Sequence, residues 1–156
     1  APLFLLYARS LPFLFKCFLF IRSQTDLFLF QIGYGPGATV VFECLRELHK
    51  RQSGTLVYSA ILISLPSSPS TLSWASARSV VAHRLVNVYS ANDWVLAISA
   101  RVYTLSAKVA GLTAVKARGV ENVDCSDLVG GHLELRDRIG EILRRVAKRG
   151  ATEMEA

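Results

Sequence analysis

The sequence predicts an α/β domain in which a parallel sheet carries helices on both faces. Short apolar runs of strand length alternate with stretches of helical length and period. Gly-rich or Ser/Pro-rich turns separate them. The runs over 27–32 and 56–65 are largely apolar rather than alternating, which is the pattern of strands covered on both sides. A length of 156 residues suits one domain, and 51% apolar with 19% charged content is globular rather than disordered.

Residues 1–24 are apolar and rich in Phe and Leu. Arg9 and Lys16 interrupt the run, each costing roughly 2.5–3.5 kcal/mol at mid-membrane, and Pro2 and Pro12 weaken a continuous helix. Three readings stay open: a membrane-associated segment, a buried helix or strand, or non-native sequence at a fragment edge. The domain proper is expected over 25–149, with a polar tail over 150–156.

A first strand over 27–32, buried on both faces, ends in Gly33-Tyr34-Gly35-Pro36-Gly37-Ala38. A helix over 39–51 follows. Val40, Val41, Cys44, Leu45 and Leu48 share its apolar face, and Glu43, Arg46, Glu47 and Lys50 cover the other. Residues 56–65 read as a second buried strand. After the loop Pro66-Ser67-Ser68-Pro69-Ser70, an N-cap at Ser70 or Thr71 opens a helix over 72–83. Residues 84–89 form a third strand, ending at Ser90-Ala91-Asn92-Asp93-Trp94. The segment from there to Leu112 carries no firm assignment. Residues 120–124 read as a short last strand. Gly130-Gly131-His132 forms a loop, and a closing helix over 135–148 turns Ile139, Ile142, Leu143 and Val146 inward.

Eighteen Lys and Arg against twelve Asp and Glu give a net charge of +6. The one basic cluster, Arg144-Arg145-Val146-Ala147-Lys148-Arg149, falls in the last turn of the closing helix, where the helix dipole favours cations. No patch interleaves basic and aromatic residues, which argues against nucleic acid as a partner. Cys17, Cys44 and Cys125 are odd in number and widely spaced, as expected of free thiols in a reducing, intracellular compartment. Nothing has the Cys or His spacing of a metal site. Gly33-x-Gly35-x-Gly37 lacks the Lys-Ser/Thr of a phosphate loop and the spacing of a dinucleotide turn, so no cofactor is expected.

The chemistry concentrates at that same turn. Strand, tight glycine turn and helix are the setting of a nucleophile elbow, G-x-S-x-G. The outer glycines, Gly33 and Gly37, stand where strand and helix backbones approach closely. The centre is Gly35, which has no hydroxyl to attack a carbonyl but takes a positive φ at little cost. The next residue is Pro36. The N–H at that position is one oxyanion-hole donor, and proline has none. Acid and histidine should follow the nucleophile in that order. Asp93 follows the third strand and His132 precedes the closing helix. Alone, such an Asp is ordinarily a turn residue or cap and such a His merely exposed; the order and the elbow together make them a candidate acid–base pair.

With those residues the chain resembles the transmembrane and coiled-coil domain-containing family of α/β-hydrolase-like membrane proteins. The matching residues are Ile32-Gly33-Tyr34, Gly37-Ala38, Ala77-Arg78-Ser79-Val80-Val81 and Arg84-Leu85-Val86-Asn87. Asn92-Asp93-Trp94-Val95-Leu96, Val109-Ala110-Gly111-Leu112, Val120-Glu121-Asn122-Val123-Asp124 and Gly131-His132-Leu133 follow in order. The resemblance covers about 25–146 and implies the C-terminal half of an α/β-hydrolase-like domain, associated with a membrane. The departures are specific. The family elbow G-Y-S-L-G-A-R has Gly35, Pro36 and Thr39 in place of Ser, Leu and Arg, and a G-A-P turn appears as Ser64-Leu65-Pro66. The second oxyanion donor belongs to an upstream region that residues 1–24 do not resemble. The resemblance therefore implies a catalytically silent, hydrolase-like protein. The alternatives are a protein-interaction or trafficking module on the same fold, or an acyl-ester hydrolase that uses another nucleophile such as Ser64 or Ser90, which lie near strand ends without an elbow.

Overall fold

The computed structural model describes residues 29–104 and 108–154. The apolar segment over 1–24 and Cys17 lie outside the described residues. Four strands, β1 (Leu29–Tyr34), β2 (Val57–Ile63), β3 (Leu85–Tyr89) and β4 (Val120–Asp124), form one sheet in the order β1-β2-β3-β4. All three pairings are parallel. Helices α1 (Pro36–Lys50), α2 (Thr71–Arg78) and α3 (Trp94–Thr104) follow the first three strands. After β4 come α4 (His132–Asp137) and α5 (Ile139–Met154).

The core lies in two layers. On one side, Phe42, Leu45 and Leu48 of α1 and Trp74 and Ala77 of α2 pack on Ala60, Leu62 and Leu85. On the other, Ile142 and Val146 of α5, with Leu135 of α4, pack on Ile63, Val86, Val88 and Val123. The strand residues divide between the layers by the alternation of their side chains. This is the partial α/β-hydrolase-like parallel sheet, with helices on both faces, that the sequence predicts.

Several elements differ from the sequence reading. β1 runs through Gly33 to Tyr34, and it is not buried on both faces: Phe30 is 64% exposed and Ile32 55%. Its apolar run reads as interior because hydropathy does not reveal that, among the described residues, the face carrying Phe30 and Ile32 is left uncovered while α1 covers the other. α1 starts at Pro36, in the first-turn position that suits proline. Its buried stripe runs through Ala38, Phe42, Leu45 and Leu48, with Cys44 beside it, while Val40 is only half buried. The helix face is fixed at Ala38, because a Cβ on Gly33 would stand 2.5 Å from the Ala38 Cα.

α2 ends at Arg78, short of the expected 83. The Arg78 guanidinium donates to the carbonyls of Gly119, Val81 and His83. The Ala82 and His83 N–H groups donate to the carbonyls of Val57 and Tyr58. Sheet contacts thus replace helical ones at the residues where periodicity favours helix. The closing helix is two helices, broken at Arg138, whose φ and ψ of −94° and 3° leave the helical range. α5 then runs on to Met154, so the basic cluster is not in a last turn. It is a clamp instead: Arg145 donates to the Asp124 carbonyl (2.9 Å) and Arg149 to that of Asn122 (2.6 Å). Arg84 joins Glu121 (2.8 and 2.9 Å) to the Val146 carbonyl (2.9 Å).

Candidate functional site

The carboxyl ends of parallel strands gather Gly35, Ser64, Asp93 and His132 on one edge of the sheet. Gly35 leaves β1 with φ 51° and ψ −118° and serves as the N-cap of α1. Its N–H donates to the Ile63 carbonyl (2.9 Å), which ties the turn to the end of β2. A side chain there would meet nothing within 4 Å, so space above the turn is open although the backbone angle favours glycine. Gly37 was expected to permit a close approach, but a Cβ there also meets nothing within 4 Å; only Gly33 carries that constraint. Pro36, the next residue, has no N–H to donate.

Asp93 is fully buried in the turn after β3. Its Oδ1 accepts the Leu96 N–H (2.9 Å), which caps α3. Its Oδ2 accepts the Ser64 hydroxyl (2.8 Å). His132 Nδ1 lies 2.9 Å from Oδ1 and 3.0 Å from Oδ2. A carboxylate only accepts, so Nδ1 carries the proton and Nε2 is left as an acceptor. Asp93 thus caps α3 and contacts His132 with the same side chain.

His132 is the first residue of α4, not a loop residue, with Gly131 as the N-cap. Its ring stacks at 6.5 Å on that of Tyr34, the neighbour of Gly35, which brings the imidazole to the elbow. Burial first, and then the charge of Asp93, raise the Tyr34 phenol above its ordinary value, so it stays neutral. The approach of α4 is set by Asn92, whose amide donates to the Ser126 and Val129 carbonyls (2.8 and 3.3 Å), and by Glu134, which accepts the Gly130 N–H (2.9 Å). Chemically the arrangement is a histidine oriented by a buried acid, able to take a proton at Nε2.

Sequence reasoning left Ser64 among the alternative nucleophiles. The structure places its hydroxyl on Asp93, at a backbone φ of 54° that a non-glycine residue adopts at a cost. The signal was the serine in place of glycine at the end of β2. Ser90 is a turn residue whose Oγ accepts the Asn92 N–H (3.3 Å). Among the described residues, no group of three His, Cys, Asp or Glu could hold a metal ion.

The family described as Protein of unknown function (DUF726) matches residues 16–149. The chain belongs to this family. Its curated relatives include the transmembrane and coiled-coil domain-containing protein STS1 of Oryza sativa subsp. japonica. That relative is 40% identical over 116 residues, 74% of this chain and 18% of its own. An uncharacterized membrane protein of Schizosaccharomyces pombe is 39% identical over 126 residues, 80% of this chain and 22% of that protein. A protein named probable lipase MIL1, of Saccharomyces cerevisiae, is 35% identical over 122 residues, 74% of this chain and 11% of its own. The chain thus spans 11% to 22% of the length of these relatives. No solved structure matches it. Among the described residues, no helix is long and apolar enough to cross a membrane.

Proposed function

We propose that this chain is a catalytically silent α/β-hydrolase-like module of a membrane-associated, intracellular protein. The observation that carries the reading is Gly35 followed by Pro36 at the turn facing an ordered Asp93–His132 pair. At the turn itself the pair has no hydroxyl to activate. Pro36, the residue after Gly35, has no N–H to offer a developing oxyanion, a loss worth roughly 2.7–4 kcal/mol of transition-state stabilisation in a protease that lacks one donor. Relatives named as membrane proteins support the membrane assignment. The buried thiols Cys44 and Cys125 support a reducing compartment.

One observation favours a second reading, an ester hydrolase with Ser64 as nucleophile: its hydroxyl stands on the same sheet edge, at a strained backbone position. That hydroxyl donates to Asp93, the carboxylate that also orients His132, so it is spent on the acid rather than offered to the base. The silent reading is the stronger.

The test is hydrolysis of short- and long-chain p-nitrophenyl esters. The unmodified chain should show the buffer rate, and His132→Ala and Ser64→Ala should not change it. Gly35→Ser alone should restore little, and Gly35→Ser with Pro36→Leu in the context of a complete upstream domain should be the minimum for activity. Turnover by the unmodified chain that His132→Ala abolishes overturns the silent reading; turnover that Ser64→Ala also abolishes establishes the second.

A further inference from the structure

Three polar groups at the Gly35 edge of the sheet have nothing to bond to. Among the described residues, no hydrogen bond or ion pair engages the Tyr34 hydroxyl, the Nε2 side of His132 or the Arg136 guanidinium. Arg84, Arg138 and Arg145, by contrast, each hold a carboxylate. The three groups stand together. The Tyr34 ring stacks on that of His132 at 6.5 Å. Arg136 follows His132 by four residues on α4, so the two share a face of that helix. Burial and then the charge of Asp93 raise the Tyr34 phenol, and the charge of Arg136 opposes them, which sets the guanidinium near the phenol. The phenol stays neutral and keeps its proton to donate. Beside them the turn is open, since a side chain on Gly35 would meet nothing within 4 Å.

The charges around this space select the kind of ligand. Asp93 is the carboxylate bonded to the imidazole. Glu134, two residues after His132, lies on another side of α4 and turns back onto the Gly130 N–H. When His132 takes a proton at Nε2, its charge matches that of Asp93, and Arg136 is left to balance one further negative charge. A monoanion fits that count, and a dianion carries one charge too many. A planar carboxylate also takes two parallel bonds from a guanidinium. For the apolar part of such a ligand there is the Trp94 indole, 60% exposed, whose Nε1 would lie 3.6 Å from a Cβ on Gly131, the residue before His132.

We propose that the space above Gly35 binds an organic monocarboxylate, held by the Tyr34 hydroxyl, the Arg136 guanidinium and protonated His132. This rests on the reading of the turn as one without a nucleophile, because the ligand takes the room a serine side chain would fill. Binding takes up a proton at Nε2, so it tightens as the pH falls.

The probes are butyrate and, as its neutral match, 1-butanol, titrated into the full chain in nonionic detergent and followed by calorimetry and tryptophan emission. Trp74 is fully buried and Trp94 is exposed, so a change in emission reports Trp94. Butyrate should bind and butanol should not. The affinity for butyrate should fall at least about fivefold from pH 6 to pH 8. Arg136→Gln should weaken it at least about tenfold, and Arg136→Lys less. His132→Gln, which keeps a donor that does not titrate, should leave an affinity that no longer varies over this range. Circular dichroism verifies that each variant keeps the fold.

Butanol binding as tightly as butyrate, an affinity independent of pH, or an unchanged affinity in Arg136→Gln overturns the proposal. Displacement of butyrate by inorganic phosphate at pH 8 overturns the choice of a monoanion. Absence of butyrate binding overturns the site and leaves catalytic silence standing. Ester turnover that His132→Ala abolishes sinks silence, and the butyrate titration is read independently of it.

Discussion

Ser64 holds two opposing contributions that a pair of substitutions separates. Its hydroxyl donates to the fully buried Asp93 carboxylate at 2.8 Å, and its φ is 54°. A hydrogen bond to a charged group contributes about 1.5–3 kcal/mol. A left-handed backbone costs a non-glycine residue about 1–2 kcal/mol. Ser64→Ala loses the bond and keeps the strain, so it should destabilise by about 1.5–3 kcal/mol, or roughly 3–12 °C in Tm for a domain of this size. Ser64→Gly loses the same bond but relieves the strain, and the added freedom of the unfolded glycine takes back about 0.4–1 kcal/mol of that relief. The expected order of stability is wild type, then Ser64→Gly, then Ser64→Ala, read from urea unfolding followed by the buried Trp74 and by circular dichroism. A Ser64→Ala variant as stable as wild type shows that the hydroxyl bond contributes nothing net. An alanine variant more stable than the glycine variant refutes the strain argument.

Four further outcomes follow from the packing. Gly33→Ala should cost at least about 3 kcal/mol, because its Cβ would meet the backbone of Ala38 at 2.5–2.7 Å; Gly37→Ala, with open space and a helical position, should gain up to about 1 kcal/mol, and thermal melts of the two decide it. Burial pushes the Cys125 thiol up to about 11, and burial also raises Cys44, so iodoacetamide at pH 8 should label both only after unfolding, as read by peptide mass mapping. Because the folded thiol keeps its proton after the unfolded one has lost it, the Cys125 contribution to stability is complete below about pH 9 and is lost as the pH rises toward 11; melts across that window should fall less steeply for Cys125→Ala. Finally, the exposed Phe30 and Ile32 on an edge strand should make the isolated chain aggregate without detergent, and Phe30→Lys with Ile32→Thr should raise the soluble fraction in size-exclusion chromatography; a monodisperse unmodified chain in plain buffer contradicts this.

The second and third strands were legible because each is a largely apolar run bounded by turn residues, and the runs over 56–65 and 84–89 contain the observed β2 and β3. The elbow was legible from three glycines and a proline between a strand and a helix. What escaped reading depends on distant contacts. Nothing local to Arg78 says that its guanidinium will leave the helix for the carbonyls of Gly119 and His83. α3 was left unassigned because its apolar residues ring the helix, with Leu96 and Ala100 inward and Trp94, Ile98 and Val102 outward, so no single amphipathic face stands out. Asp93 and His132 could be picked out by their order along the chain, but the Ser64 hydroxyl between β2 and Asp93 could not, since a serine at a strand end has many ordinary uses. The exposed face of β1 was hidden for the same reason: a hydropathy run records what a strand could bury and not what its neighbours cover.

Asp93 carries consequences beyond chemistry. It caps α3, accepts Ser64 and holds the first residue of α4, so three elements share one carboxylate. Once a nucleophile is lost, a side chain that served catalysis alone would be free to drift. One that also secures the fold is not, because replacing it would leave the Ser64 hydroxyl and the Leu96 N–H buried without partners. An intact acid–histidine pair in a protein of this architecture is therefore a record of folding constraint as much as of activity. Tallies of enzymes that count such pairs need also to read the residue at the turn after the first strand.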